Sequence, residues 1–280
     1  MAEVITAEAG QTRSADPRRL SPGLAFLGGL IGVGYLYVGR IGYAIAFAVA
    51  PYVFLFASGR TRLIVDPIGW YASFAVLALL WLVQLVHPVV LAWSRPLGPA
   101  KPYNRWWWYV AWIAGVTTAS MLLVPEPATA FGYQNYYVPA GSMSPTVQPG
   151  DRVVVDTWRY RDASPAFGDI VVCDLGDGTL VVKRVVGVPG DTIEIRGPLL
   201  IRNGNPVDEP YLSSEPGMTL PDSPPLALGT DEFFVLGDHR RNSRDSRQEG
   251  PVSRDEIPGR VEFIYFARDW GRFPALLAAD

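Results

Sequence analysis

The second half of the chain contains the run Val181-Val182-Lys183-Arg184-Val185-Val186-Gly187-Val188-Pro189-Gly190-Asp191. Valines dominate its first part and a Pro-Gly-Asp turn follows, which predicts a β-strand that ends near Val188. On such a strand Lys183 lies on the same face as Val181 and Val185. An ammonium group among valines is poorly solvated, which lowers its pKa. A lysine that packs its stem on the strand and extends its amine to water is the alternative.

Short β-rich runs surround this strand throughout the second half of the chain. They cover residues 152–156, 169–173, 179–188, 192–196, 199–202, 232–236 and 261–267. Gly176-Asp177-Gly178 and Asn203-Gly204 separate such runs and are typical of hairpin turns. We therefore predict a compact, mostly antiparallel β domain over residues 126–280.

The first half of the chain is apolar instead. It contains four uncharged stretches, each long enough to cross a bilayer as a helix: residues 22–39, 41–59, 67–94 and 106–125. We predict a polar tail over residues 1–20 and a membrane domain over residues 21–125 with about four transmembrane α-helices. Buried helices of a large soluble protein are the alternative, but four such runs in 105 residues leave too little polar surface for it.

Charge follows the same division. Residues 1–125 hold 9 basic and 4 acidic side chains, whereas residues 126–280 hold 15 and 23. An acidic β domain argues against nucleic acid as a partner, because phosphate binding needs clustered Lys and Arg. The single cysteine, Cys173, excludes an internal disulfide and any multi-cysteine metal site. With four helices and the β domain outside, four basic residues would face the cytoplasm and five would face outward, so the positive-inside rule leaves the topology open.

A loop rich in Pro and Gly, residues 139–151, precedes the strands and contains Ser142. A loop serine among small residues can present both its hydroxyl and its backbone N–H. A serine nucleophile uses the first group to attack and the second to stabilise an oxyanion. Taken alone, a serine in such a loop is more often a turn residue.

A second polar segment, residues 237–250, combines acidic and basic side chains at high density. It can form a buried network in which Asp245 and Arg247 are one candidate pair, or it can be a solvated charged loop. His239, within this segment, is a rival base for Ser142 in a Ser–His–Asp arrangement. No metal site is expected, since no second His or Cys could join His239.

Four segments resemble, in order, the conserved boxes of bacterial type I signal peptidases of the S26 family: residues 141–146, 167–172, 183–191 and 237–250. The similarity covers roughly residues 138–262. Lys183 stands where relatives from the endoplasmic reticulum carry a His, which places the chain in the Ser-Lys branch. The resemblance implies a membrane-bound serine protease with a β catalytic domain, no cofactor and no metal.

The resemblance also implies roles for individual residues. Ser142 would be the nucleophile and Lys183 the general base, with Ser243 orienting the lysine. Asp245 and Arg247 would form a supporting ion pair. Pockets for small substrate side chains would be lined by Met143, Val147 and Val181.

The implied substrates are secretory preproteins cut after an Ala-x-Ala-like sequence, and the implied location is the bacterial cytoplasmic membrane, a lipid bilayer crossed several times, with the catalytic domain outside. Ala140 departs from the family pattern, because relatives often carry there a Ser or Thr whose hydroxyl helps to hold the oxyanion.

Three alternatives share parts of this pattern. A self-cleaving Ser-Lys regulator would have the same β fold, but the four apolar stretches argue against it. An inactive membrane receptor could have kept the β domain, and a peptidase dedicated to conjugation or pili would differ only in its substrates.

Overall fold

The computed structural model describes residues 20–94, 101–124, 126–212, 220–272 and 275–277. The predicted polar tail lies outside these ranges except for Leu20. The α-helices are α1 (Pro22–Leu30), α2 (Gly34–Tyr37), α3 (Ile41–Arg60), α4 (Pro67–Ser94), α5 (Trp106–Leu123), α6 (Pro127–Phe131) and α7 (Ser246–Glu249). Short 3₁₀ helices cover Leu63–Val65, Pro102–Asn104, Arg254–Glu256 and Trp270–Arg272.

Twelve strands follow α6 within the described chain: β1 (Tyr133–Tyr137), β2 (Arg152–Asp156), β3 (Ile170–Asp174), β4 (Leu180–Gly187), β5 (Thr192–Arg196), β6 (Leu199–Arg202), β7 (Asn205–Pro206), β8 (Ser223–Ala227), β9 (Glu232–Leu236), β10 (Val252–Ser253), β11 (Gly259–Phe266) and β12 (Ala275–Leu276). All their pairings are antiparallel. The predicted fold class, apolar helices followed by a mostly antiparallel β domain, is confirmed.

The first predicted span is not one continuous helix. Ser21 caps α1 by accepting a hydrogen bond from the Leu24 N–H, and Pro22 occupies the first turn. The chain then turns at Gly32, where φ is +78°, and continues as the four-residue α2. Gly34 lets α2 approach α1 closely, because a Cβ there would lie 2.9 Å from the Gly29 nitrogen. The two helices have nine and four residues, too short for either to cross a bilayer.

Two helices in the described part of the chain are long and apolar enough to cross a membrane. They are α3, with a mean hydropathy of 1.8, and α4, with 2.3. The predicted count of about four spans therefore stays a prediction.

The chain forms two compact units. One comprises Met1–Val53 and Ala75–Pro125, and the other comprises Phe54–Phe74 and Glu126–Asp280. The second unit thus includes a segment, Phe54–Phe74, that the sequence assigned to the membrane domain.

Within the second unit, the strands form two sheets. The larger has the order β1-β2-β11-β3-β4-β9-β10, with β12 paired to β11, and the smaller has the order β7-β6-β5-β8. Alternate residues of β3 are buried on opposite faces of the larger sheet: Ile170 and Val172 in one hydrophobic cluster, Val171 and Cys173 in another. Burial of both faces explains why the central strands are continuous apolar runs.

Candidate active site

The nucleophile loop connects β1 to β2 and is closed at its base. The Val138 N–H donates to the Asp151 carbonyl (2.9 Å), and the Gly150 N–H donates back to the Val138 carbonyl (2.8 Å). Met143 and Val147 are buried in the cluster beneath the loop. Ser142 is half-buried. It lies between the hydrogen-bonded base of the loop at Val138 and the buried side chain of Met143, which together restrict its position.

Lys183 reaches this serine from β4, which the sheet order separates from β2 by β11 and β3. It lies in β4, opposite Val171 of β3, and is 2 % exposed. Its Nζ lies 2.8 Å from Ser142 Oγ, within hydrogen-bonding distance. Val181 and Val185, on the same face of β4, pack in one apolar cluster. The strand therefore places the amine next to the hydroxyl in a largely dry environment.

The surroundings of Lys183 favour its neutral form. Burial lowers the pKa of Lys183, because it removes water from the ammonium. The carboxylate of Asp245 opposes this effect and raises the pKa, while the guanidinium of Arg247 lowers it. The net direction is downward from 10.5, as required of an amine that accepts a proton near neutral pH.

The loop after β9 is built around Asp245, whose side chain is fully buried. Arg247 binds it through Nε (2.7 Å) and Nη2 (2.9 Å). The same carboxylate accepts the Gly237 N–H (3.0 Å). The His239 N–H, further along the loop, donates to the Ser142 carbonyl (3.0 Å). The loop thus fixes the backbone of Ser142 directly.

A second link joins the two loops through side chains that the sequence analysis missed. Asp238 accepts two hydrogen bonds from Arg184, at 2.8 and 2.7 Å, and one from the Thr146 hydroxyl at 2.6 Å. Tyr211 stacks on Arg184, with the guanidinium 3.8 Å from the ring centroid. All three linked residues, Arg184, Asp238 and Thr146, lie in the segments that resemble family boxes. Their membership of these segments was the sequence signal that could have identified the link.

The remaining predicted residues are placed as follows. Ser243 Oγ is buried and, among the described residues, has no hydrogen-bond partner, so no hydrogen bond joins it to Lys183. Val181 lines the pocket at Ser142, whereas Met143 and Val147 lie in the core below the loop. Their roles in orienting the lysine and in substrate binding stay predictions.

The rival base, His239, has its Nδ1 3.3 Å from the Gly141 carbonyl. The amine of Lys183, in contrast, lies within hydrogen-bonding distance of Ser142 Oγ. The geometry therefore favours the lysine as the partner of the nucleophile.

A cavity of about 230 Å³ opens at Ser142 and Lys183. It is lined by Ala140, Gly141, Ser142, Leu175, Asp177, Val181, Lys183, Asn242 and Arg244. Within the described ranges, no group of three His, Cys, Asp or Glu side chains could hold a metal ion. The cavity exposes both members of the Ser142–Lys183 pair.

Comparison with known proteins gives a consistent assignment. The family described as "Signal peptidase, peptidase S26" matches residues 109–266. The chain is 35 % identical over 148 residues to the probable signal peptidase I-1 of Synechocystis sp., covering 49 % of this chain and 73 % of the relative. It is 37 % identical over 145 residues to signal peptidase I S of Bacillus subtilis, covering 49 % and 78 %.

Among solved structures, a signal peptidase I from Enterococcus faecalis is 31 % identical, with a TM-score of 0.32, covering 34 % of this chain and 95 % of that one. The family match spans more than half of the 280 residues and contains both members of the Ser142–Lys183 pair. The chain therefore belongs to the S26 family of signal peptidases and is a peptidase that removes signal peptides.

Proposed function

We propose that this chain is a membrane-bound serine endopeptidase in which Ser142 and Lys183 form the catalytic dyad. The observation that carries the proposal is the 2.8 Å separation between Lys183 Nζ and Ser142 Oγ, with the amine almost fully buried. A hydroxyl is a weak nucleophile until a neighbouring base accepts its proton. Burial lowers the pKa of Lys183 and so favours the neutral form that can do so.

In the acylation step, Ser142 Oγ attacks the carbonyl carbon of the scissile peptide bond while its proton moves to neutral Lys183. The resulting oxyanion accepts a hydrogen bond from the Ser142 N–H. The C–N bond then breaks, and Lys183 passes the proton to the leaving amine. The mature protein departs, and the signal peptide remains as an ester on Ser142.

Deacylation repeats the proton transfers with water in place of the amine. Neutral Lys183 accepts a proton from a water molecule as its oxygen attacks the ester carbonyl. The ester C–O bond breaks, Ser142 Oγ regains a proton from Lys183, and the signal peptide leaves with a new carboxylate. These steps use no metal ion or cofactor, so we expect full activity in the presence of a chelator.

The free edge of β4 is the proposed substrate site. Residues 180–183 pair with β3 on one side, and pairing with β9 on the other side begins at Arg184. An extended peptide can therefore add as a strand beside residues 180–183, next to Ser142. Alternate side chains of such a peptide point the same way. Selection of Ala at the first and third positions before the cleavage site would then depend on Val181, which lines the cavity at Ser142, and on Met143 and Val147, which pack beneath the loop that carries Ser142.

Substitution of the dyad tests the mechanism. We expect Ser142→Ala and Lys183→Ala each to lower kcat/KM for a preprotein in detergent by at least about a thousandfold. Ser144→Ala, in the same loop, and Lys101→Ala, at the only other lysine of the chain, are matched controls that should stay near wild type. Retention of full cleavage by either dyad variant would show that the mechanism is wrong.

The cleavage site can be tested on the substrate. A preprotein with Ala at the first and third positions before the cut should be processed. Replacing the Ala at the first position by Phe should abolish cleavage, since the proposed selection admits only a small side chain beside Ser142. The mass of the released mature protein identifies the bond cut. Equal processing of the Phe substrate would contradict the proposed selection.

We propose that the enzyme lies in the bacterial cytoplasmic membrane as a multi-pass protein with the β domain on the extracytoplasmic side. The two membrane-capable helices and the substrate class support this location. Because the β domain is acidic, we expect it not to bind nucleic acid. A cysteine introduced at exposed Ser164 should react with an impermeant maleimide on intact cells, whereas the buried Cys173 should not. Labelling at residue 164 only after lysis would reverse the orientation.

A further inference from the structure

Residue 140, at the wall of the catalytic pocket, has no side-chain hydrogen-bond donor. Its side chain is the methyl group of Ala140, which lines the cavity together with Ser142 and Lys183. An oxyanion formed at Ser142 would receive one hydrogen bond from the Ser142 N–H. Acyl-transfer sites stabilise this charge with two or more donors, and removal of one typically costs a factor of 10² to 10³ in kcat.

The other side chains of the cavity narrow the choice of donor. Lys183 Nζ is engaged with Ser142 Oγ. The Arg244 guanidinium is engaged with Asp177 through Nη1 and with Glu249 through Nε, both at 2.6 Å. The side-chain amide of Asn242 lines the same cavity and, within the described part of the chain, makes no hydrogen bond. It is a neutral donor of two N–H groups that is free to receive an oxyanion.

The backbone that carries Asn242 is fixed relative to the nucleophile. The Asn242 N–H donates to the His239 carbonyl (3.0 Å), and the His239 N–H donates to the Ser142 carbonyl (3.0 Å). The turn is held from the other side by Arg247, whose Nη2 donates to the Arg240 carbonyl at 2.7 Å. Only the side-chain torsions of Asn242 are then left to be ordered when an oxyanion forms, so the fold already supplies the backbone part of the preorganisation that such a donor requires.

We propose that the side-chain amide of Asn242 donates the second hydrogen bond to the oxyanion, in the place of the hydroxyl that Ala140 lacks. This inference rests on the proposed Ser142–Lys183 mechanism. An amide is suited to the task because it remains a donor at every pH at which Lys183 is neutral and adds no charge beside the amine. Asn242 is then a catalytic residue of this enzyme.

Kinetics of the full chain on a preprotein in detergent test the assignment. Asn242→Ala should lower kcat by a factor on the order of 10² with little change in KM, because the lost interaction exists only in the transition state. Asn242→Asp, of nearly the same shape but without a donor when ionised, should lose a similar factor. Arg241→Ala, at the exposed neighbouring position, is the matched control and should stay near wild type.

The double variant gives the sharper test. Ala140→Ser should restore much of kcat in the Asn242→Ala background and gain far less in the wild type, since one hydroxyl replaces one missing donor. The proposal would be overturned if Ala140→Ser raised kcat by the same factor in the wild type and in Asn242→Ala. It would also be overturned if Asn242→Ala changed only KM. Loss of kcat in Asn242→Ala with no rescue by Ala140→Ser would overturn the exchange of donors between these positions.

A transition-state analogue separates catalysis from folding. A peptide aldehyde ending in the Ala-x-Ala sequence adds Ser142 Oγ to its carbonyl carbon, and the proton lost by the hydroxyl passes to Lys183. Its affinity should fall in Asn242→Ala by about the same factor as kcat, while the affinity of the cleaved product peptide should not change. Equal loss for both ligands would contradict a role at the oxyanion. Cleavage by the wild type and none by Ser142→Ala would uphold the dyad whatever the result at Asn242.

Discussion

At the scale of single residues, the proposed mechanism depends on whether the Lys183 amine is neutral. Burial favours the neutral amine, and the carboxylate of Asp245 works against it. The pair Asp245–Arg247 is itself nearly neutral overall, because the guanidinium binds both carboxylate oxygens. This arrangement fixes the loop around Lys183, and the Arg247 guanidinium offsets part of the effect of Asp245 on the amine.

The lowered pKa of Lys183 predicts the pH dependence of cleavage. Because the base must be neutral, kcat/KM should fall as the pH decreases through the pKa of Lys183, and this acid limb should lie below 10.5. In Asp245→Asn, loss of the charge that favours the ammonium should move the limb to still lower pH. A pH–rate profile measures both, with Asp162→Asn at an exposed site as the control. A limb that moves upward in Asp245→Asn would contradict this account.

Gly237 lies where the loop after β9 packs against the loop that carries Ser142. A Cβ built there would lie 2.2 Å from Ser243 Oγ and 2.5 Å from the Ser142 carbonyl oxygen. We therefore expect Gly237→Ala to displace the nucleophile and lower kcat by more than about tenfold, since misplacement by 1 Å can cost about 10². Gly115→Ala, where a Cβ meets no atom within 4 Å, is the control. Wild-type kcat in Gly237→Ala would show that the loops tolerate separation.

At the scale of elements, the turn between α3 and α4 is part of the protease unit. Ile64, Val65 and Trp70 are buried against Val154 and Phe263 of the sheet. Arg62 binds the buried carboxylate of Asp156 and lies 3.6 Å from Glu262. The segment therefore covers one face of β2 and β11, which would otherwise expose apolar side chains to water.

Truncation of Trp70 should measure the contribution of this contact. Trp70 is 3 % exposed, and truncation of a buried Trp to Ala typically lowers the free energy of unfolding by about 3–5 kcal/mol. We expect Trp70→Ala to lower the thermal unfolding temperature of the protein in detergent. Trp93→Ala, in the same helix and 82 % exposed, should leave it nearly unchanged. Equal unfolding temperatures for the two variants would contradict a structural role for the turn.

At the scale of the whole molecule, the protease unit is discontinuous in sequence. It combines Phe54–Phe74 with Glu126–Asp280. A buried cluster that draws on both segments makes each dependent on the other for a complete core. The catalytic domain is consequently not defined by a single cut of the chain after Pro125.

A fragment of residues 126–280 tests this dependence. Without the turn, Val154 and Phe263, both fully buried in the full chain, lose part of their cover, and such exposed apolar surface promotes association. We expect the fragment to unfold at lower denaturant concentration than the full chain and to aggregate. A denaturant titration of both proteins, with an assay of cleavage activity for each, measures the difference. A fragment as stable and active as the full chain would show that the turn is dispensable.

Local sequence was sufficient to locate seven of the twelve strands in the described chain. The resemblance to family boxes, and not local sequence alone, selected Ser142 and Lys183, which lie within hydrogen-bonding distance. The predicted runs at 152–156, 192–196, 199–202 and 232–236 coincide with β2, β5, β6 and β9, because β-branched residues bounded by Gly, Pro and Asp have few other stable arrangements. Strands β7, β10 and β12 have two residues each and form only against a neighbour, so no local pattern marks them.

Long-range packing decided what local patterns left open. The stretch of residues 22–39 is uniformly apolar, but it folds as α1 and α2 because glycines allow the two backbones to touch. From hydropathy, Trp70 was predicted to lie in a membrane helix. In the structure it is buried against the sheet and belongs to the protease unit. The approach of Lys183 to Ser142 depends on pairing between β3 and β4 and on a loop fixed from β9. Such contacts join residues distant in sequence, so they exist only once the sheet has formed.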